Sequence, residues 1–315
     1  MPQVCNVVRI HLKTGDKNKP IDRTQLISFC LHNKTCQYVV IGWSCAYVGA
    51  TKPINNFKDY YEAVKVWCKN TGNRLNSVIN KFHDTKVNDL FWTRDIDGMY
   101  WICRAKGAAE AYRDDKLDIG ARVPVEAYKY GTEVPGQIKA TFTRSNGGTA
   151  ETLNDYRGPI IAFSQYAFNK LAGRDVYDVA KIKGDNILNN LPDFDLEELV
   201  ISYIQIKYDY YVLSNSIAKK STTAKIECEF RSRDKNNPRR AVVQVKGGDD
   251  TFDASGLKGY DDEGYIVYIY AHGHADKVDK LANCVEIKPD DLLNFYQEYK
   301  SVLPDSITKW ESLFE

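Results

Sequence analysis

Gln244 and Lys246 stand two residues apart in "RRAVVQVKGGDD" (239–250), inside a run that otherwise reads as a buried strand. Side chains alternate along a strand, so the amide and the ammonium share a face. Burying either without a partner is unfavourable. An edge strand with one solvated face would accommodate both and require no chemistry. The other reading supplies a partner. In "AKIECEF" (224–230) the same alternation puts Glu227 and Glu229 on one face. If the turn-like "RDKNNP" (233–238) joins the two runs as a hairpin, one glutamate lies beside Gln244 and Lys246. A carboxylate, an amide oxygen and an ammonium at one sheet end suit Mg²⁺ and water, because hard divalent cations take oxygen ligands. The lysine would hold the attacking water and stabilise charge on a phosphorane-like transition state.

The elements that must position these groups follow one another between residues 192 and 315. A helix over "LEELVISYIQIKY", capped by Asp193 or Asp195, precedes strand-like "YYVLSN", "AKIECEF" and "RRAVVQVK". A further strand, "GYIVYIY", and closing helices over "PDDLLNFYQEYKSVL" and "SITKWESLF" complete a small α/β sheet flanked by helices. Helix, acidic strand, then a strand ending in Gln-Val-Lys resembles the PD-(D/E)xK nuclease superfamily. It is most similar to the Mrr-like restriction endonucleases, which carry QxK in place of ExK. That resemblance, over about 192–288, implies a restriction-endonuclease-like fold and a Mg²⁺-dependent DNA endonuclease. It implies Glu227 and Gln244 as metal ligands and Lys246 as the catalytic lysine. It adds a helix glutamate, Glu198, with Glu197 the near alternative. Glu229 competes with Glu227; Glu227 is favoured because it lies farther from the turn. Arg231, Arg233, Arg239 and Arg240 flank the hairpin and are expected either as solvated strand ends or as contacts to backbone phosphates. His272 and His274 in "AHGHAD" read as a polar loop leaving a strand.

Upstream, the chain mixes strands and helices. "VCNVVRIHL", "QYVVIGW", "RVPVEAYKY" and "GQIKATF" read as strands. "NNFKDYYEAVKVWCKN" reads as a helix capped at Asn55 or Asn56, and "GPIIAFSQYAFNKLAG" as one ending at Gly173. "DLFWTRDIDGMYWICRAKG" is an aromatic-rich hairpin around Asp97-Gly98. The order of "RIHLK", the Gly-Trp of "VIGW" and this hairpin, over about 4–165, resembles PUA-like barrels of the EVE type. The resemblance implies an α+β domain with a small β-barrel and an aromatic pocket for a flipped, modified base. Trp43, Trp92 and Trp101 are its candidate walls, with burial in the core as the competing reading for each.

The expected organisation is a recognition domain over 1–173, a polar linker over 174–191 and a nuclease domain over 192–315. With 43 basic and 42 acidic residues among 315, no global field draws nucleic acid, and any polyanion site must come from local clustering. The eight cysteines include no CxxC pair. A zinc set of Cys30, His32, Cys36 and Cys45 fits no common spacing, so buried free thiols in a reducing compartment are expected. No secretory signal or membrane-length apolar run is read, and a cytoplasmic location is expected. Together these point to a type II- or IV-like restriction endonuclease of phage defence, with Mg²⁺ as cofactor. Its partner is DNA, with or without modified bases, and cutting both strands would ask for a homodimer or two sequential nicks. Two rivals remain open: an inactive nuclease fold that only binds nucleic acid, and an RNA-directed nuclease.

Overall fold

Strand-forming runs and helical stripes sort into two units in the computed structural model, which describes residues 5–15, 20–33, 35–72, 77–143, 148–153, 159–179, 186–217, 226–249 and 251–313. The first unit is Met1–Val134 with Ile138–Lys181; the second is Pro135–Gln137 with Ile182–Glu315. The boundary falls within 174–191. Residues 174–179 carry contacts of the first unit: Tyr177 is buried, and its hydroxyl donates to the Asn88 carbonyl at 2.8 Å.

In the first unit, seven strands form one open, half-barrel sheet. They are β1 (Val7–Ile10), β2 (Gln37–Ile41), β3 (Leu90–Arg94), β4 (Tyr100–Ala105), β5 (Glu110–Asp114), β6 (Ile119–Gly131) and β7 (Ala150–Thr152). Their order is β2-β6-β4-β3-β1-β7, with β5 also on β6. β1 and β3 run parallel, and the other pairs are antiparallel. The β3–β4 turn forms where the sequence places Asp97-Gly98. Gly98 takes φ 82°, and the Asp95 carboxylate accepts from the Asp97 and Met99 backbones at 3.0 and 2.9 Å. Helices α1 (Arg23–Ile27), α2 (Phe57–Thr71), α3 (Ser77–His83), α4 (Gly136–Thr143) and α5 (Pro159–Ala172) accompany the sheet. In α2 the buried Phe57, Tyr60, Val64 and Cys68 keep the three-and-four spacing of one helical face, and Asn56 caps the start.

The stretch "GQIKATF", expected as a strand, is helix α4. Ile138, Ala140 and Phe142 alternate as in a strand, but Ile138 and Phe142 also sit four apart. With Thr141 they form the buried face of a helix entered just after Pro135.

The second unit runs α6 (Asp193–Lys207), β8 (Tyr210–Val212), α7 (Ser214–Ile217), β9 (Cys228–Ser232), β10 (Arg240–Lys246), β11 (Phe252–Asp253), α8 (Lys258–Asp262), β12 (Ile266–Ala271), β13 (Ala275–Asp276), β14 (Cys284–Glu286), α9 (Pro289–Tyr299) and α10 (Asp305–Thr308). Its main sheet has the order β14-β12-β10-β9-β8. β9 pairs antiparallel with β10 as the hairpin expected around "RDKNNP", whereas β12 joins β10 in parallel. A parallel neighbour needs a crossover, and the turn Ala254–Leu257 with α8 supplies it. Both faces of β10 are therefore covered. Val242 packs with Ala254, Leu257, Val267 and Ile269, while α6 packs against β10. Neither Asp193 nor Asp195 caps α6. Pro192 is its N-cap, and both aspartates lie in the first turn, where the helix dipole favours negative charge.

All eight cysteines are free thiols; Cys5, Cys30, Cys68, Cys103 and Cys228 are buried and Cys36 is exposed. Among the described residues no helix is long and apolar enough to cross a membrane.

The tightest glycine in the first core is Gly120. A Cβ there would lie 2.6 Å from both the Gly42 carbonyl oxygen and Tyr60 Cε2, and would crowd the bond from the Tyr60 hydroxyl to that carbonyl. Gly120→Ala should therefore destabilise the protein by about 1–3 kcal/mol, the usual range for overpacking. Gly49→Ala, with nothing within 4 Å of the added carbon, should melt like the parent. Equal melting temperatures for the two variants would refute the packing assignment.

Candidate active site

The hairpin register brings the two strands' polar groups together. Val243 pairs with Cys228 and Val242 with Glu229, and the Glu227 backbone donates to the Val243 carbonyl at 2.8 Å. One step further along, Gln244 meets Glu227. Its Nε2 donates to Glu227 Oε1 at 2.9 Å and to the Val245 carbonyl at 3.0 Å. Gln244 is only 4% exposed, so these bonds answer the cost of burying an amide. Both amide protons are now used, which leaves Oε1 as the amide's ligand-binding atom. Alternation puts Lys246 on the same face, and its Nζ lies 5.9 Å from the centre of the Phe252 ring.

These residues open on a cavity of about 690 Å³ lined by Asp193, Glu197, Glu227, Gln244, Lys246, Gly247, Phe252 and Asp253, among others. Asp193 and Glu197 come from α6, four residues apart on one helical face. The helix start can approach because β10 runs directly into Gly247. A Cβ at Gly247 would stand 3.0 Å from Asp193 Oδ1 and 3.0 Å from Leu196 Cδ2. Asp195 serves a different purpose: buried on another side of α6, it accepts from the Gly136 backbone at 2.8 Å and Trp310 Nε1 at 3.1 Å.

Among the described residues the lining holds four carboxylates (Asp193, Glu197, Glu227 and Asp253) against the single ammonium of Lys246. Asp253 is partly answered from outside. Hydrogen bonds from Lys277 and Ser255 hold its carboxyl well below the ordinary range. The remaining excess of negative charge favours a cation and opposes a bare phosphate. Below the site, burial pushes the Cys228 thiol up, and Glu227, Glu198, Glu197 and Glu229 raise it further. It therefore stays protonated and is no nucleophile.

An oxygen-only donor set of this kind fits Mg²⁺, which commonly takes one or two carboxylates and keeps several waters. Glu227 and Gln244 Oε1 would be the donors from the sheet, and Asp193 and Glu197 those from the helix. Among the described residues, no three His, Cys, Asp or Glu side chains are already gathered into a metal-binding group.

The other expected residues distribute less simply. Glu197 lines the cavity, whereas Glu198, one position and about 100° further around α6, is exposed and does not. Glu229 sits opposite Val242, toward the turn, and is also absent from the lining. The four arginines belong to the far end of the hairpin. Arg231 pairs with Arg240, four residues or about 13 Å of strand from Gln244, and Arg233 and Arg239 lie at the turn itself. Arg240 stacks on Tyr265 at 4.1 Å and donates to the Glu263 carbonyl at 2.8 Å. Arg233 lies 3.5 Å from Asp209. None of the four reaches the cavity. Outside it too are His272, 3.8 Å from Asp249, and His274, 3.1 Å from Asp276.

In the first unit the three tryptophans do not share a wall. Trp92 pairs with Ile102 and Trp101 with Thr93, so adjacent register positions send the two indoles to opposite faces. Trp92 is completely buried, with Nε1 on the Ser164 hydroxyl at 2.9 Å; it is core. Trp43 is half-buried against the core beside α2. Trp101 lines a cavity, with its Nε1 tied to Asp95 at 2.9 Å.

Asp193 was not anticipated as a site residue. Its signal was present: it lies four positions before Glu197, and Gly247-Gly248 directly follows the lysine strand. Only the close approach of Gly247 to α6 connects the two.

No family model and no curated protein matches the chain. Among solved structures, the MspJI restriction endonuclease in complex with a 27-mer oligonucleotide aligns at 10% identity. The alignment covers 75% of this chain and 69% of that one, with a TM-score of 0.24. At that score the two backbones do not superpose well enough to transfer a fold or an activity, so the functional reading rests on the site.

Gln244→Glu tests the site without reference to turnover. It replaces a donor by a second carboxylate facing Glu227, and like charges at that distance raise one carboxyl's folded-state pKa. At neutral pH in EDTA the variant should melt below the parent. The difference should shrink as pH falls through the carboxylate range, because a shared proton restores the bond. Mg²⁺ should then raise its melting temperature more than the parent's. A penalty independent of both pH and Mg²⁺ would show that residue 244 does not face Glu227.

Proposed function

We propose that the second unit is a Mg²⁺-dependent nuclease that hydrolyses phosphodiester bonds in DNA, of the restriction or phage-defence type. The observation that carries this reading is the Glu227–Gln244 pair with Lys246 on the same strand face, opening on a carboxylate-lined cavity. Phosphodiester hydrolysis needs a positioned water, charge compensation at the non-bridging oxygens and a way to bring an anion into the site. Mg²⁺, when bound, would supply the Lewis acidity and offset the carboxylates' charge. Glu227, whose Oε1 accepts from Gln244, would help to hold it. Gln244 contributes Oε1 and no charge, and Asp193 and Glu197 make up the negative charge that a glutamine omits. Lys246 orients the attacking water and meets the charge that develops on phosphorus-bound oxygen. Its contact with Phe252 keeps the ammonium at the cavity mouth.

The proposal extends to a recognition role for the first unit in a modification-dependent enzyme acting on DNA with modified bases. There Trp101 is the candidate that retains a cavity, whereas Trp92 is taken by the core. One such site per chain would cut both strands as a homodimer or by two sequential nicks.

Lys246→Ala should lose cleavage by several orders of magnitude while DNA affinity and melting temperature change little, because the ammonium acts mainly in the transition state. Glu227→Ala should lose both cleavage and the Mg²⁺-induced rise in melting temperature, and Glu229→Ala neither. Glu197→Ala should slow cleavage more than Glu198→Ala. Duplex DNA, with and without modified cytosines, and RNA are incubated with Mg²⁺ and then with EDTA. Cleavage of RNA alone selects the RNA-directed reading. Binding of either nucleic acid without Mg²⁺-dependent cleavage selects an inactive nuclease fold.

A further inference from the structure

A cavity of the first unit has the opposite electrostatic character. It measures about 860 Å³, within the range of small-molecule sites, and sits where β6 outruns β2. The last β2–β6 pair is Gln37 with Val125, yet β6 continues to Gly131. The Gln37 side chain covers the first open position, accepting from the Ala127 backbone at 2.8 Å and donating to its carbonyl at 3.1 Å. Beyond it, the edge faces the π-helical turn Ser28–His32 that follows α1.

Arg104, Lys106, Lys129 and Arg174 line this cavity, and Glu126 is its one carboxylate among the described residues. That carboxylate is already saturated. It accepts from the Tyr128 hydroxyl at 2.6 Å, from Arg104 at 2.8 Å and from Arg174 at 2.6 and 2.7 Å. Lys106 and Lys129 are exposed and form no ion pair among the described residues. Arg104 Nε is buried and has no hydrogen-bond partner, an omission that ordinarily costs a protein stability. On the opposite wall the His32 imidazole lies against the Trp101 indole, with ring centres 5.7 Å apart and planes inclined by 41°. Trp101 is 9% exposed, so the outward ring of this pair is His32.

An exposed imidazole backed by an indole, in the same lining as four cations, selects for a planar ring carrying an anion. We propose that this cavity is a binding site for a nucleoside phosphate, free or within a nucleic-acid strand. The base lies on His32 over Trp101, and the phosphate is held by Lys106, Lys129 and Arg174. Glu126 takes no part in recognition, because its oxygens are occupied; its role is to hold the two arginine forks. Lysines at such a rim act as point charges, whereas Arg174 offers a fork once the ligand competes with Glu126. The site is independent of the nuclease reading, since none of its residues belongs to the second unit.

The test is titration of the full-length protein in EDTA, by calorimetry, with deoxycytidine monophosphate, deoxycytidine, inorganic phosphate and a short single-stranded oligonucleotide. The monophosphate or the oligonucleotide should bind at least tenfold more tightly than deoxycytidine or phosphate alone. The monophosphate binding more tightly identifies a free nucleotide as the ligand; the oligonucleotide binding more tightly identifies a strand. Lys106→Ala with Lys129→Ala should weaken that binding about tenfold or more. His32→Ala should remove the preference over inorganic phosphate, and both variants should keep the parent's melting temperature. The proposal is overturned if neither nucleotide ligand binds better than its separate parts. It is equally overturned if both rim lysines can be removed without effect. Lys246→Ala, which tests the nuclease, should leave all four titrations unchanged, so the two readings fail separately.

Discussion

The hydrogen bond from Gln244 to Glu227 is the constraint on which the second unit's chemistry depends. A buried amide needs a partner, and the partner must come from β9 at one register only. A slip of one residue would set Cys228 opposite Gln244 and turn both glutamates of β9 to the other face. It would also drive Cys228 and Phe230, both completely buried, toward the face that Glu227 now occupies. The polar pair and the apolar pair thus specify the same register. Local hydrogen bonding and core packing agree, which is how a functional group is held in one place without being rigid on its own.

That register would achieve little if α6 did not start where it does. Its first turn is fixed on one side by Asp195, which receives Trp310 and the Gly136 backbone. On the other side it is fixed by contact with Gly247. A helix anchored through its buried aspartate presents Asp193 and Glu197 to the cavity as a consequence of helical spacing. The same spacing carries Glu198 away. Asp193 and Glu197 therefore approach from α6 and Glu227 from the position just before β9, with Asp253 in the same lining and an amide at Gln244 between them. The glutamine is informative in this setting: a carboxylate in its place would meet Glu227 charge to charge, so the amide is the form that is stable before any cation arrives.

What the sequence disclosed and what it hid follow from the range of the forces involved. Period-two alternation is local, so β9, β10 and their shared polar face were legible, and so was the β3–β4 turn at Asp97-Gly98. Period-four spacing is also local, but Ile138 and Phe142 satisfy both periods, and tertiary burial made α4 a helix. The choice between Glu197 and Glu198 depends on the rotation of α6 about its axis, which is set by Asp195 and Trp310 over a hundred residues apart. Asp193 depends on a glycine more than fifty residues later. The tryptophans illustrate the same limit. The resemblance to PUA-like barrels implied an aromatic pocket, but the β3–β4 register sends Trp92 and Trp101 to opposite faces. The arginines were likewise near the motif in sequence and at the wrong end of the hairpin in space.

The charge balance is instructive for a related reason. A formal net charge of +1 gives no hint of a polyanion partner. Yet, counted among the described residues, one unit holds a cavity with four carboxylates and one ammonium, and the other a cavity with four cations and one carboxylate. These opposite excesses cancel in any whole-chain sum but not locally, because the Debye length at physiological salt is only about 8 Å. Each cavity is therefore governed by its own lining. On the functions proposed for them, the acidic one takes phosphate only together with a cation, whereas the basic one takes it directly. A phosphate-bearing ligand thus meets two different rules in one chain, and only the acidic rule depends on metal. Chelation separates them: it should silence the first cavity and leave the second as it was.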